Sequence, residues 1–322
     1  MTSAKATICF VFVLSIFAFS AANTMAQSFG INTDATIKIK PAYPEPNTDV
    51  TASLDAYAIN TTGANISWYI DGSEVVNAKN LREITFAVGD LGTPIKISAQ
   101  ITPKSGLPIT AARTIIPTRV DIVVEADTLV PLHYKGRALP SSGSIVRVIA
   151  VPDTTVAPSE LSYTWILDNK VLFGGSLIGK NIARFEAPKS PRVLLTLEVS
   201  DTQGTTLTRK STFIDIVAPE IHFYEENPLR GLSQNAIVSP HLLIGDEMTL
   251  RAEPYFMDTK IFESDPLLQW EVNNTVVQNP SNDPQNITLR SGQGTGNFSV
   301  DFHIRNLQNL LQGVEDGFMV TF

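Results

Sequence analysis

The dominant pattern along the chain is a two-residue alternation of apolar and polar positions, which predicts half-buried β-strands rather than helices. It is cleanest at Ile95, Ile97, Ala99 and Ile101, with Lys96, Ser98 and Gln100 between them. It returns at Val193, Leu195, Leu197 and Val199. A third instance runs through Phe298, Val300, Phe302 and Ile304, where Ser299, Asp301, His303 and Arg305 face the other way. Each of these strands begins 27 or 28 residues after a tryptophan. An earlier strand precedes each tryptophan: Val50, Ala52 and Leu54, then Val146 to Val151, then Met248, Leu250 and Ala252. One apolar and one polar face per strand marks antiparallel sheets packed on one side.

The three tryptophans sit in one repeated motif. It reads Ile66-Ser67-Trp68-Tyr69-Ile70-Asp71-Gly72, Tyr163-Thr164-Trp165-Ile166-Leu167-Asp168-Asn169, and Leu268-Gln269-Trp270-Glu271-Val272-Asn273-Asn274. The last two residues of each are those that a tight hairpin turn demands, because Gly, Asn and Asp tolerate positive φ. An apolar pair follows each turn: Val75-Val76, Val171-Leu172 and Val276-Val277. Trp68, Trp165 and Trp270 are 97 and 105 residues apart, the repeat length of an immunoglobulin-sized sandwich. Their mid-strand positions among apolar neighbours make them core residues, not sugar-stacking rings on an open face.

The second unit resembles a PKD-type immunoglobulin-like domain. The likeness rests on Tyr163-Thr164-Trp165, followed by Leu195-Thr196-Leu197-Glu198-Val199-Ser200-Asp201 and Gly204. It departs from that family's acidic W-D-F-G-D-G turn, which here is Trp165-Ile166-Leu167-Asp168-Asn169. The first and third units match more weakly. The segment Pro219 to Gly231 is similar to junctions in uncharacterised bacterial multi-domain surface proteins. The resemblance implies extracellular spacing, adhesion or envelope-assembly roles, and it brings no catalytic residues with it.

The first residues have a different composition. Lys5 precedes an uncharged apolar run from Ile8 to Ala22, too short for a membrane span and the right length for a signal-peptide core. Thr24-Met25-Ala26 offers a small-residue cleavage site, so a helical signal peptide over 1–26 is expected, with Gln27 as the new N-terminus. If the signal stays uncleaved, it is the only expected membrane contact. Cys9, the one cysteine, lies inside this run, so neither a disulfide framework nor a multi-cysteine metal site is available. Export to the periplasm, the cell surface or the medium follows as an expectation.

The repeat divides the rest of the 322 residues into domains at 29–117, 118–218 and 219–322. Proline-bearing joints at Pro117 and Pro219, without Gly/Ser linkers, predict a stiff rod. With strands of about ten residues at ~3.3 Å each, its length is on the order of 100 Å. The expected fold is therefore all-β: three tandem immunoglobulin-like (PKD-like) antiparallel sandwiches in an extended rod. Two longer stretches interrupt the pattern, Thr128 to Ser144 and Asn227 to Gly245, and are candidate contact surfaces.

Charge narrows the partners. The net charge of −8 excludes a nucleic-acid binder that needs a basic face. Nearly all of the imbalance lies in the third unit, with 5 Lys and Arg against 14 Asp and Glu. Its clusters read as a solvated acidic surface, or alternatively as a Ca²⁺ site with Asp258, Glu263 and Asp265 as ligands. No regular Ca²⁺-loop spacing accompanies them, and no other cofactor is indicated. His133, His222, His241 and His303 show no metal-ligand spacing, and neither a nucleophile elbow nor a dinucleotide fingerprint is present. Gly292-Gln293-Gly294-Thr295-Gly296 reads as a turn. Of the five Asn-x-Ser/Thr sequons (Asn60, Asn65, Asn273, Asn286 and Asn297), none has a role without a glycosylating host.

The reading that follows is a non-enzymatic secreted or surface protein, a spacer, adhesin or envelope component, with a protein or envelope partner. The alternative is a carbohydrate- or polymer-binding module, or accessory domains of a surface enzyme complex. Glycan binding would need exposed rings, and the candidates are Tyr255, Phe256, Phe262, His222, Phe223 and Tyr224.

Overall fold

The structure is a computed structural model that describes residues 35–56, 63–105, 107–278, 283–292 and 295–322. The expected signal segment, Cys9, Asn60 and the centre of the Gly292–Gly296 turn lie outside the described residues.

Alternation in the sequence becomes strand pairing in space. The first sandwich contains β1 (Thr36–Lys40), β2 (Asp49–Asp55), β3 (Asn65–Ile70), β4 (Ser73–Glu74), β5 (Glu83–Ala87), β6 (Ile95–Thr102) and β7 (Ile109–Ile115). They form two antiparallel sheets, ordered β1-β2-β5 and β4-β3-β6-β7. The second contains β8 (Arg119–Ala126), β9 (Ile145–Asp153), β10 (Ser162–Leu167), β11 (Lys170–Val171), β12 (Leu177–Ile178), β13 (Ile182–Glu186), β14 (Arg192–Ser200) and β15 (Thr206–Asp215). Its sheets run β13-β9-β8 and β11-β10-β14-β15, with β12 also on β10. The third contains β16 (Glu220–Asn227), β17 (Gly231–Ala236), β18 (His241–Leu242), β19 (Glu247–Tyr255), β20 (Leu267–Val272), β21 (Thr275–Val277), β22 (Asn286–Arg290), β23 (Asn297–Arg305) and β24 (Gly313–Thr321). Its sheets run β17-β16-β19-β22 and β18-β24-β23-β20-β21.

The same connectivity therefore occurs three times. In each unit the first, second and fifth principal strands make one sheet, and the Trp hairpin with the last two strands makes the other. The third unit adds two strands. β17 folds back on β16, and β18 lies parallel to β24. Both come from the 227–245 stretch, about half of which is therefore sheet rather than irregular loop.

Register fixes what the alternation buries. Trp68 stands opposite Ala99, Trp165 opposite Leu197, and Trp270 opposite Phe302. Each ring enters a core built from both sheets of its own unit. Trp68, Trp165 and Trp270 are 0%, 1% and 2% exposed. They are among the largest buried side chains, and rings of this size bury more apolar area than any single aliphatic neighbour.

Candidate functional site

The repeated motif resolves into a repeated set of bonds. Both turn residues have positive φ in every unit: Asp71 and Gly72 at 48° and 82°, Asp168 and Asn169 at 45° and 68°, Asn273 and Asn274 at 47° and 59°. This is the type I′ geometry that follows the right-handed twist of the flanking strands. The first turn residue then reaches across to the neighbouring strand. Asp71 Oδ1 accepts from the Lys96 N–H at 2.7 Å, Asp168 Oδ1 from Leu194 at 2.8 Å, and Asn273 Oδ1 from Ser299 at 3.0 Å. Each indole N–H donates to a backbone carbonyl 13 to 15 residues onward, at Leu81, Lys180 and Pro284. The recurring indole and the first turn side chain are thus committed to core and strand pairing, while one valine of each following pair, Val76, Val171 and Val276, is exposed.

The most developed polar site lies between the second and third domains. Thr128 to Ser144 leaves β8 and runs along the third domain. Its backbone pairs with the segment after β19: Leu129 N–H donates to Met257 at 2.7 Å, and Phe256 N–H donates back to Leu129 at 2.8 Å. Thr259 N–H donates to Asp127 at 3.1 Å, and Thr128 and Asp258 form an isolated bridge. Phe256 adopts φ 60°, a left-handed conformation that costs a bulky residue free energy. It is held there from outside its own domain, by Leu129 at its N–H and by the Ser141 hydroxyl at its carbonyl.

Four buried side chains complete this junction. Gln312 and Ser141 are fully buried, as is Ser144, and Asp258 nearly so. The Gln312 amide accepts from Asp258 N–H at 2.7 Å and donates to Ser141 Oγ at 3.0 Å and to Ser142 O at 2.7 Å. Its acceptor and both of its donors are therefore used. Asp258 Oδ2 accepts from Ile145 N–H at 3.2 Å, and Oδ1 accepts from Lys260 N–H at 2.9 Å, starting the 3₁₀ turn Thr259–Ser264. Ser144 Oγ accepts from Ser141 N–H, and Asn309 Nδ2 donates to Gly143 O at 3.1 Å. Beside this network lies a small apolar core that draws Val130, Tyr134, Leu139 and Val217 against Tyr224, Tyr255, Phe256 and Leu232. Tyr224 and Tyr255 share a hydroxyl–hydroxyl bond of 2.6 Å, and Tyr134 packs edge-on against Tyr255. Burial raises the Tyr255 phenol well above its ordinary value, and the bond to Tyr224 adds to the effect.

The candidate residues are distributed as follows. Asp258 is buried with backbone N–H groups on both carboxylate oxygens, whereas Glu263 and Asp265 are exposed. Asp265 closes the 3₁₀ turn in a left-handed conformation. Among the described residues, no group of three or more His, Cys, Asp or Glu is placed to hold a metal ion. Of the candidate rings, Phe223, Tyr224, Tyr255 and Phe256 are buried and Phe262 is exposed. His222 is half-buried, packs edge-on against Tyr255 and lies 3.2 Å from Glu220. His303 stands on the outer face of the third domain, between Glu271 and Glu315.

Residues with no signal in the sequence matter more. Nothing in the chain links Ser141 to Gln312 across 171 positions. Part of the third domain's acidity is also neutralised locally. Arg251 bonds Glu253 and Asp283, and although burial pushes its guanidinium down, these bonds outweigh burial and raise it. In the second domain, Asp121 is held below the usual carboxylate range by its hydrogen bond to Lys210 and then by that lysine's charge.

Strand order and registered cores define the class of protein: tandem immunoglobulin-like β-sandwiches. No family model and no curated protein matches the chain. Similar solved structures include fibronectin(III)-like modules of Clostridium thermocellum CbhA, at 13% identity over 56% of this chain and 93% of that one, with a TM-score of 0.29. Sidekick-1 immunoglobulin domains 1–5 are 14% identical over 86% of this chain and 56% of that one, with a TM-score of 0.27. A structure concerned with host cell surface retention of a bacterial ice-binding adhesin is 11% identical over 89% and 95%, with a TM-score of 0.25. Likeness at this level concerns the kind of module alone. No described helix is long and apolar enough to cross a membrane.

Proposed function

We propose that the chain is an exported, non-enzymatic protein of the cell surface or envelope, acting as a spacer or assembly component between a protein or envelope partner and its surroundings. One observation carries this reading. The two hydrogen-bonding side chains that recur in the motif are both used for architecture: the indole for the core, the first turn Asp or Asn for pairing two strands. A chain that repeats architecture, and not a ligand-facing group, is built to hold its partners apart. The apolar run after Lys5 supplies the route of export. The glycan alternative draws little from the fold, because four of its six candidate rings are buried, leaving Phe262 exposed and His222 half-buried.

Fractionation of a host expressing the tagged full chain tests the reading. The expected result is protein outside the cytoplasm whose intact mass begins at Gln27, and in-situ crosslinking to an envelope protein. Cytoplasmic retention with Met1 to Ala26 still attached would refute it.

A further inference from the structure

We infer that the second and third domains are a single rigid body, and that the chain bends at the joint between the first and second. The two joints have similar proline-bearing sequences but different chemistry. At the second joint, the side chains of Ser141, Asp258 and Gln312 are buried and fully engaged across the boundary. A change of angle large enough to part these groups breaks bonds where water cannot replace them, and so carries the desolvation cost of the separated groups. The backbone bonds of Leu129 and the left-handed Phe256 make the same demand, because the strained residue is held by donors and acceptors of the second domain.

The first joint has no such network among the described residues. Thr118 is its one buried polar link, with its N–H 3.3 Å from Pro44 O and its hydroxyl 2.7 Å from Leu207 O. Only the first of these bonds crosses the joint, since Thr118 and Leu207 both belong to the second domain, and a single bond permits rotation about it. Beside it lies a cleft of about 180 Å³ between Tyr43, Pro44 and Arg113 of the first domain and Thr205 to Leu207 of the second. The contact of Gly92 with the Thr155 methyl is a further touch between loops. A larger cleft of about 380 Å³ flanks the second joint, between Ser142, Lys189 and Pro191 of the second domain and Pro219, Leu310 and Leu311 of the third, so it is the buried bonds and not the clefts that set the two joints apart.

Spin-label distance measurements on the full chain test this, with Cys9→Ser removing the native thiol. Lys170→Cys with Arg290→Cys spans the second joint, and Lys170→Cys with Glu83→Cys spans the first. The expected result is a distribution across the first joint at least twice as wide as that across the second. Equal widths, or the reverse order, overturn the inference without any change at the junction itself. In the same labelled chain, Gln312→Ala is expected to widen the second-joint distribution at least twofold and leave the first unchanged. Gly143→Ala is a second route to the same outcome, since its Cβ would lie 2.8 Å from Asn309 Nδ2 at a glycine with φ 83°. A second-joint distribution that stays narrow in both variants, with both domains folded, contradicts the role given to these bonds.

Discussion

Two residues of each hairpin do separable work, and the second domain shows it best. Trp165 is 1% exposed, so Trp165→Ala leaves a cavity that one sandwich core has few ways to fill. The expected cost is about 3–5 kcal/mol, read from the denaturant midpoint of the second domain; a near-neutral result would place the ring outside the core. Asp168 contributes an acceptor for Leu194 N–H and a positive φ. Asp168→Asn keeps both and is expected to be near neutral, whereas Asp168→Ala loses both and is expected to cost about 1–2 kcal/mol. Equal losses in the two variants would show that charge, not geometry, matters at this turn. These residues were readable in the sequence because their constraints are local: a turn that needs positive φ restricts its own two positions. Asp258 was not. Its acidity pointed to a cation, yet its oxygens are occupied by N–H groups, one of them 113 positions away. Only the start of the 3₁₀ turn, Asp258 before Thr259 and Lys260, carried a local hint of capping.

At the level of elements, the alternating strands β6, β14 and β23 were legible because each has one buried and one outward face. The stretch 227–245 was not, since β17 is mostly exposed and β18 has only two residues. Exposed or very short strands carry little periodicity, and they exist because a neighbour supplies the ladder. β24 provides that ladder twice, to β23 antiparallel and to β18 parallel, and it buries Phe318 and Val320. Removing Gly317 to Phe322 strips both functions from the third sandwich. The expected outcome in proteolysis of the full chain is rapid cleavage within 220–316 and an unchanged half-life for the first domain. Protection of the third domain in that deletion would mean that its core closes without β24.

The whole molecule links the junction to pH on the alkaline side. Tyr255 sits in the small core between the second and third domains, and burial followed by the Tyr224 hydroxyl raises its phenol above the ordinary value of 10.0. The native chain therefore keeps a proton that the unfolded chain releases, so the stabilisation is complete below the unfolded value of about 10 and is lost as pH rises through the higher folded value. Tyr163 is also raised by burial, but it lies wholly within the second core, where its hydroxyl donates to Pro158 O. The two can be separated. Tyr255→Phe has no proton to lose and is expected to abolish the alkaline opening of the second joint, at the expense of the Tyr224 bond at neutral pH. Tyr163→Phe is expected to leave that opening in place and to alter only the second domain's own melting. Hydrogen exchange of Leu129 and Phe256, followed as pH is raised on the full chain, reads the joint directly, because both N–H groups bond across it. Opening that persists unchanged in Tyr255→Phe would move the alkaline sensitivity away from the junction.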